Sequence, residues 1–99
     1  MEKPLFIPLK REFFEQFESG VKRFEFRPYG PRWNEKTCRV GRAVVLSCGY
    51  GKQRRLRGFI SGFDKHPIYA CSPSFQACYP GFEGMGCRIE VSDLKPLAA

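Results

Sequence analysis

The sequence predicts a mainly β fold with one or two short helices, packed as a small, strongly bent sheet or β-barrel with a helix covering one end. Three observations support this prediction. Five short segments carry strand patterns, and no regular helices alternate with them as in a βαβ fold. The chain has 99 residues, which suits a single domain over 1–99. Ten Phe residues supply the apolar surface for one compact core.

The first elements are a strand and a helix. Residues 5–7 are apolar and predict a short strand, and the flanking Pro4 and Pro8 suit either the ends of a strand or an edge strand. Residues 11–19 follow as an amphipathic helix that ends at Gly20. This helix has fewer than three turns, so its apolar stripe must pack on the rest of the fold. The stripe consists of Phe13, Phe14 and Phe17.

The second strand is predicted over 21–27, where the side chains alternate in character. Phe24 and Phe26 occupy one face of this strand. A Pro- and Gly-rich turn at 28–31 ends it. The opposite face is charged, and its members are Arg23, Glu25 and Arg27.

Three further strands are predicted over 43–48, 56–63 and 87–91. Gly58 and Gly62 predict bends or close backbone contacts in the middle one.

The segment 64–86 is predicted to be irregular, apart from a short helix that Ser72 caps, with Pro73 in its first turn and its end near Tyr79. A frayed tail is expected over 95–99.

Positive charge is concentrated in the middle of the chain. The net charge is +7, and the sequence pI is about 9.4. Residues 22–57 hold eleven Lys or Arg and two acids, a net charge of +9, whereas the rest of the chain has six basic and eight acidic residues. Because aromatic residues are interleaved with these charges, the pattern favours a nucleic-acid-binding face over a merely solvated surface.

The five cysteines form no C-x-x-C pair. An odd number without close pairs favours free, mostly buried thiols in a reducing compartment over a disulfide framework. No apolar stretch reaches the length of a membrane span, and the N-terminus lacks the apolar segment of a signal peptide. We therefore expect a cytoplasmic protein without membrane association, metal or cofactor. The alternative metal site would use the single histidine and three cysteines: His66, Cys71, Cys78 and Cys87.

The most informative motif is the run Gly-Val-Lys-Arg-Phe-Glu-Phe-Arg over 20–27, which has the pattern G-x-K-x-x-E-x-R. Glu25 and Arg27 are two residues apart and share one strand face, where they can form an ion pair. With Lys22 reaching in from the turn, they form a polar triad of net positive charge. Such a triad suits a phosphate or the edge of a nucleobase. The alternative is an exposed strand with an ordinary salt bridge.

These residues, in this order of elements, resemble the ASCH domain family of the PUA-like superfamily. The resemblance includes the opening strand, the helix ending in Ser19–Gly20, the motif itself, Val40–Gly41 before the strand at 43–46, and the strand at 56–63. From Asp64 onward the match is loose. The resemblance implies a small PUA-like β-barrel with a cleft lined by the motif, and it implies RNA binding.

Some members of that family are hydrolases that cleave RNA or remove acyl groups from modified cytidine. In the amidohydrolase branch, a lysine at the position of Lys22 activates a threonine three residues later, but this chain has Glu25 there. A carboxylate cannot replace the hydroxyl nucleophile by the same mechanism. In a metal-independent ribonuclease, Glu25 would instead take a proton from a ribose 2′-OH while Lys22 or Arg27 stabilises the phosphorane.

A carboxylate beside a guanidinium stays ionised and is a weak base. The main hypothesis is therefore a domain that binds RNA or a modified nucleoside. The alternatives are a metal-independent hydrolase and a protein-interaction module with a protein partner.

The nucleic-acid contacts are expected to extend beyond the motif. Residues 29–36 interleave aromatic and basic side chains that can stack bases and hold phosphates, although Trp33 could equally plug one end of the barrel. The basic turn at 52–57 either contacts a phosphate backbone or is a solubilising turn. The catalytic candidates, if the protein is an enzyme, are Lys22, Glu25 and Arg27. The predicted nucleic-acid-binding residues are Lys22, Arg23, Arg27, Tyr29, Arg32, Trp33, Lys36, Arg54 and Arg55.

Overall fold

The structure, a computed structural model, describes residues 2–97 except the side chains of Tyr69 and Ser74. Within these residues the chain forms five strands, two α-helices and a 3-10 turn, as the predicted mainly β fold requires. In chain order they are β1 (Leu5–Leu9), α1 (Arg11–Glu18), β2 (Phe24–Pro28), β3 (Ala43–Cys48), β4 (Arg55–Pro67), the 3-10 turn (Ile68–Ala70), α2 (Pro73–Cys78) and β5 (Met85–Pro96).

The five strands form one sheet in the order β1-β3-β4-β5-β2. β1 pairs with β3 in parallel, and all other neighbours are antiparallel. The sheet curls into a half-barrel, so that its two edge strands approach each other. A hydrogen bond of 2.6 Å from Arg27 Nη2 on β2 to the carbonyl oxygen of Pro8 on β1 joins these edges.

The core lies on the concave face of the sheet, beneath α1. Phe14 and Phe17 of α1 are buried there. Burying such side chains contributes about 1.5–3 kcal/mol each, which stabilises a helix too short to persist alone. Gly20 ends the helix region with φ +85, a conformation that glycine adopts without strain. The sheet residues that pack in this core include Ile7, Val44, Leu46, Ile60, Ile89 and Val91.

Two strand boundaries differ from the prediction. β2 begins at Phe24 and not at residue 21, because the N–H of Lys22 still bonds the carbonyl of Gln16 at the end of α1. β4 extends to Pro67 and β5 begins at Met85, because these two residues pair at the end of a long antiparallel hairpin.

The irregular segment is therefore shorter than the predicted 64–86. Its short helix, α2, is confirmed, with Ser72 as the N-cap that accepts a hydrogen bond from the N–H of Phe75.

The chain after Leu94 is also more ordered than predicted. Lys95 and Pro96 continue β5 and pair with Arg57 and Leu56 of β4, so the predicted frayed tail is wrong for these two residues. The extra length of β4 supplies the pairing partner. Residues 98–99 lie outside the described part of the chain. Neither helix within residues 2–97 has the length and apolar character needed to cross a membrane.

Gly58→Ala is expected to lower the free energy of unfolding by about 1–3 kcal/mol. An added Cβ would lie 2.6 Å from the carbonyl oxygen of Ser92 and 2.7 Å from Cδ2 of Leu94, and the backbone oxygen cannot retreat without disturbing β5. Urea unfolding measures the loss. Gly30→Ala is the matched control, because its added Cβ meets nothing within 4 Å. Equal losses in the two variants would contradict the close approach of β4 and β5.

Candidate functional site

A cleft of about 530 Å³ opens where the two edges of the curled sheet face each other. β1 and β2 form its sides, α1 borders it, and α2 covers the other flank. This volume lies within the range of about 300–1,000 Å³ that is typical of small-molecule sites. The side chains that matter for its chemistry are Phe13, Lys22, Glu25, Arg27, Phe75 and Tyr79.

The charged face of β2 points into the barrel. Glu25 lies opposite Ile89, and Arg27 lies opposite Cys87, and both partners belong to the buried core. Cross-strand partners share a sheet face, so the two charged residues lie on the concave side. Phe24 and Phe26 therefore occupy the outer side of β2, where Phe26 meets Phe75 edge-on at 6.2 Å.

Glu25 and Arg27 form a nearly buried ion pair at the floor of the cleft. Nε and Nη2 of Arg27 lie 2.8 and 2.7 Å from Oε2 of Glu25. Glu25 is only 7% exposed. The guanidinium also bonds the carbonyl of Pro8 and lies 4.7 Å from the centre of the Trp33 ring. Among residues 2–97, no side chain or backbone group bonds Oε1 of Glu25, which leaves this oxygen available as an acceptor.

Lys22 lies in an aromatic environment at the border of the cleft. Its Nζ is 5.0 Å from the ring centre of Phe26 and 5.5 Å from those of Phe13 and Phe17. Burial lowers the pKa of Lys22 below that of an ordinary lysine, and the nearby Glu25 carboxylate opposes this effect only in part. The site therefore holds a cation that loses its proton more readily than a surface lysine does.

The structure brings together three of the predicted site residues, Lys22, Glu25 and Arg27. The predicted residues of the 29–36 segment lie elsewhere. Tyr29 donates to Glu35 at 2.6 Å, and Trp33 is 8% exposed and packs in the core. Arg32 stacks over Trp33 at 5.4 Å, and Lys36 is exposed.

The other predicted basic residues also lie outside the cleft lining. Arg54 bonds Glu15 and Glu18 of α1 at 3.2 and 2.7 Å, so both ends of its guanidinium are occupied. Arg55 lies over the Phe6 ring, and Arg23 pairs with Glu90 at 3.4 Å.

Solved structures of one known protein identify the fold. A Tyr-to-Phe variant of an ASCH protein from Zymomonas mobilis matches 98% of this chain and 74% of its own, with a TM-score of 0.72 and 16% identity. This chain has the fold of an ASCH domain. A second crystal structure of that protein and a Ser-to-Ala variant match 92% of this chain and 68% of theirs, each with a TM-score of 0.68 and 16% identity. No profile of a protein family matches the sequence, and no curated protein does.

Sequence reasoning missed part of the wall of this ASCH-fold cleft. Phe75 and Tyr79 of the α2 region line it, with ring centres 5.0 Å apart. Burial raises the pKa of the Tyr79 hydroxyl. Phe13 was expected only as a packing residue of α1. Its place in the same stripe as the two buried residues Phe14 and Phe17 contains no signal that distinguishes a cleft wall from a core contact.

The thiols of the ASCH-fold chain are all free, as predicted, although only Cys38 and Cys87 are buried. Burial raises the pKa of Cys87 to about 12. Cys78 is exposed, so the expectation of mostly buried thiols is wrong at this position.

The alternative metal set, with His66 as its one nitrogen ligand, is not assembled: nowhere in residues 2–97 do three His, Cys, Asp or Glu side chains converge on a metal position. His66 instead contacts Asp64 at 3.3 Å.

Relative to a Lys22→Met variant, this ASCH-fold protein is expected to become more stable as the pH rises from the lowered pKa of Lys22 towards 10.5, the ordinary pKa of a lysine. In that window the unfolded chain holds the lysine proton and the folded chain does not, so the unfolded state binds more protons and a higher pH favours folding. Urea unfolding at neutral and alkaline pH measures this difference. A parallel pH dependence in the two proteins would show that Lys22 is not desolvated.

Proposed function

We propose that this protein binds single-stranded RNA by taking one nucleobase, plain or modified, into the cleft between β1 and β2. The observation that carries the proposal is a set of charged side chains, the Glu25–Arg27 pair at the floor and Lys22 at the border, in a cavity with aromatic walls. Such a combination provides a stacking surface and a hydrogen-bonding edge in one place.

The walls are suited to a flat, aromatic ligand. Phe13 lines the α1 side, and Phe26, Phe75 and Tyr79 line the α2 side, where Phe26 meets Phe75 edge-on. Stacking of a base on an aromatic ring contributes about 1–3 kcal/mol. The cleft thus has aromatic rings on both sides, and these rings can stack on the two faces of a nucleobase.

The floor supplies polar groups for the edge of the base. The Oε1 oxygen of Glu25 accepts a hydrogen bond from an exocyclic amino group, while Arg27 holds the carboxylate in place through Oε2. Lys22 supplies a donor for a carbonyl or phosphate oxygen. This arrangement favours a base that carries an amino group over uracil. The positive net charge of the chain adds a sequence-independent attraction to the phosphates.

Glu25→Gln is expected to weaken binding of a cytidine-containing oligonucleotide by roughly fivefold to tenfold, because a neutral amide carbonyl is a weaker acceptor than a carboxylate oxygen. Fluorescence anisotropy with labelled RNA, and with the matching DNA, measures the affinity at several salt concentrations. The salt slope then estimates the number of phosphates contacted. Glu83→Gln, an exposed loop position, is the matched control. Binding that is absent in the wild type, or equal in the two variants, would overturn the proposal.

A second candidate is a metal-independent hydrolase that acts on RNA or on a modified nucleoside. The lowered pKa of Lys22, beside the carboxylate of Glu25, is the observation in its favour. The samples of the binding experiment, run on a denaturing gel, distinguish the two functions. The binder leaves RNA intact in every variant. A hydrolase yields product that disappears in Lys22→Ala, and Glu25→Gln would then abolish turnover while keeping the affinity.

We propose that the protein works in a reducing compartment, the cytoplasm, because all five cysteines carry free thiols. The partner in this proposal is RNA or a modified nucleoside, without a metal or cofactor. If no nucleic acid or nucleoside binds, the remaining hypothesis is a module that binds a protein partner.

A further inference from the structure

The convex side of β1, β3 and β4 carries a row of aromatic and basic side chains that the cleft does not use. Phe6 pairs with Val45, and Val45 pairs with Arg57, so these three residues lie side by side across three strands. Phe59 follows on the same face of β4, two residues after Arg57. We call this surface the outer face; it consists of Phe6, Val45, Tyr50, Arg55, Arg57 and Phe59.

The rings of the outer face are unusually exposed for aromatic residues. Phe59 is 44% exposed and Tyr50 is 80% exposed. Tyr50, in the turn after β3, lies 6.1 Å from the Phe6 ring, and the Arg55 guanidinium lies 5.2 Å from the same ring. β1 and β4 are two strand spacings apart, about 10 Å, so Phe6 and Phe59 provide two separate stacking positions. Exposed aromatic rings on a sheet face are a general means of stacking unpaired bases.

Charge on the outer face selects an anionic partner. The strand segments 5–9, 43–48 and 55–59 contain no acidic residue. Lys95 of β5 pairs with Arg57 and extends the positive charge beyond β4. Asp93, the acid nearest to Lys95 along β5, lines a different cavity at the end of α1. Guanidinium groups beside exposed rings match a polyanion whose bases are unpaired.

The outer face is continuous with the cleft through β1. Pro8 lies on the outer side of this strand, next to Ser47, and it also lines the cleft, where its carbonyl accepts the Arg27 hydrogen bond. A chain of nucleotides that leaves the cleft over Pro8 therefore arrives at Phe6. We infer that the outer face binds the nucleotides adjacent to the base held in the cleft, by stacking on Phe6, Tyr50 and Phe59 and by phosphate contacts with Arg55 and Arg57. This inference rests on the proposed function.

The test compares a nucleoside with oligonucleotides of increasing length. Wild-type protein is expected to bind a labelled octanucleotide more tightly than a trinucleotide, and a trinucleotide more tightly than a nucleoside. Phe59→Ala and Arg57→Ala are each expected to weaken octanucleotide binding at least about fivefold and to leave nucleoside binding unchanged. Phe59→Tyr should retain the affinity, because the ring remains. Arg11→Ala removes an exposed charge from α1, on the concave side, and is the matched control.

The outcomes separate this inference from the function on which it rests. If the nucleoside binds but affinity does not increase with length, or if both outer-face variants bind the octanucleotide like the wild type, the inference is overturned and the cleft function stands. If nothing binds, both are overturned. If only oligonucleotides bind, and the loss in Phe59→Ala and Arg57→Ala persists while Glu25→Gln binds like the wild type, the outer face binds RNA without the cleft, and both the cleft function and the inference that rests on it are overturned. If Phe59→Ala abolishes a wild-type dimer in sedimentation without changing octanucleotide binding, the face joins two copies and the inference is overturned.

Discussion

Arg27→Ala is expected to lower the free energy of unfolding by about 3–5 kcal/mol, the cost of leaving a buried charge without its partner. The guanidinium has three roles at once. It neutralises the nearly buried Glu25 carboxylate, it satisfies the carbonyl of Pro8, and its plane covers Trp33. Since the bond to Pro8 joins the two edges of the sheet, we also expect the variant to lose binding in the cleft.

Urea unfolding gives the stability of Arg27→Ala, and the double variant Glu25→Leu/Arg27→Ala is its control. Removing both charges eliminates the unpaired carboxylate, so the double variant should be more stable than Arg27→Ala alone. A double variant that is less stable than the single one would show that Glu25 is compensated by something other than Arg27.

Phe14→Ala is expected to cost about 3–5 kcal/mol, a large share of the stability of a small domain. Phe14 is fully buried between the axis of α1 and the concave face of the sheet, so removal of its ring leaves a cavity in the core. Thermal and urea unfolding measure the loss. If the variant is too unstable to purify, Phe14→Leu gives a smaller loss in the same direction.

Phe13→Ala is the matched comparison for Phe14→Ala, one position earlier in the same helix. Phe13 is half-buried and lines the cleft. Its removal should cost clearly less stability and should weaken ligand binding, whereas Phe14 acts through the core alone. Equal stability losses in the two variants, with no effect of Phe13→Ala on binding, would remove Phe13 from the proposed site.

The sequence predicts much of the local structure because short-range patterns determine it. The apolar run at 43–48 coincides with β3, and the Phe stripe before Gly20 coincides with α1. Ser72 caps α2 as its hydroxyl and the following proline predict. Each of these elements depends on residues within one or two turns of chain, where propensity and capping act directly.

The candidate site was predictable only for its floor. Lys22, Glu25 and Arg27 lie within six consecutive residues, so one motif brings them together. Phe75 and Tyr79 are distant in sequence and reach the cleft only because α2 packs against the edge of β2. In the basic turn at 52–57, Arg54 reads as a free charge in the sequence, whereas in the structure it pairs with two acids of α1.

By itself, the sequence determined a mainly β fold, the positions of its helices, an excess of positive charge and the motif at the floor of the cleft. The tertiary structure alone decided which side of β2 faces inward. An alternating pattern shows that side chains point to opposite faces, but it does not say which face meets the core. Pairing of Glu25 with Ile89 settles this question, and it places a charged pair inside the barrel and the phenylalanines outside. The same long-range pairing decided which arginines remain free for a ligand, because their acidic partners come from other elements of the fold.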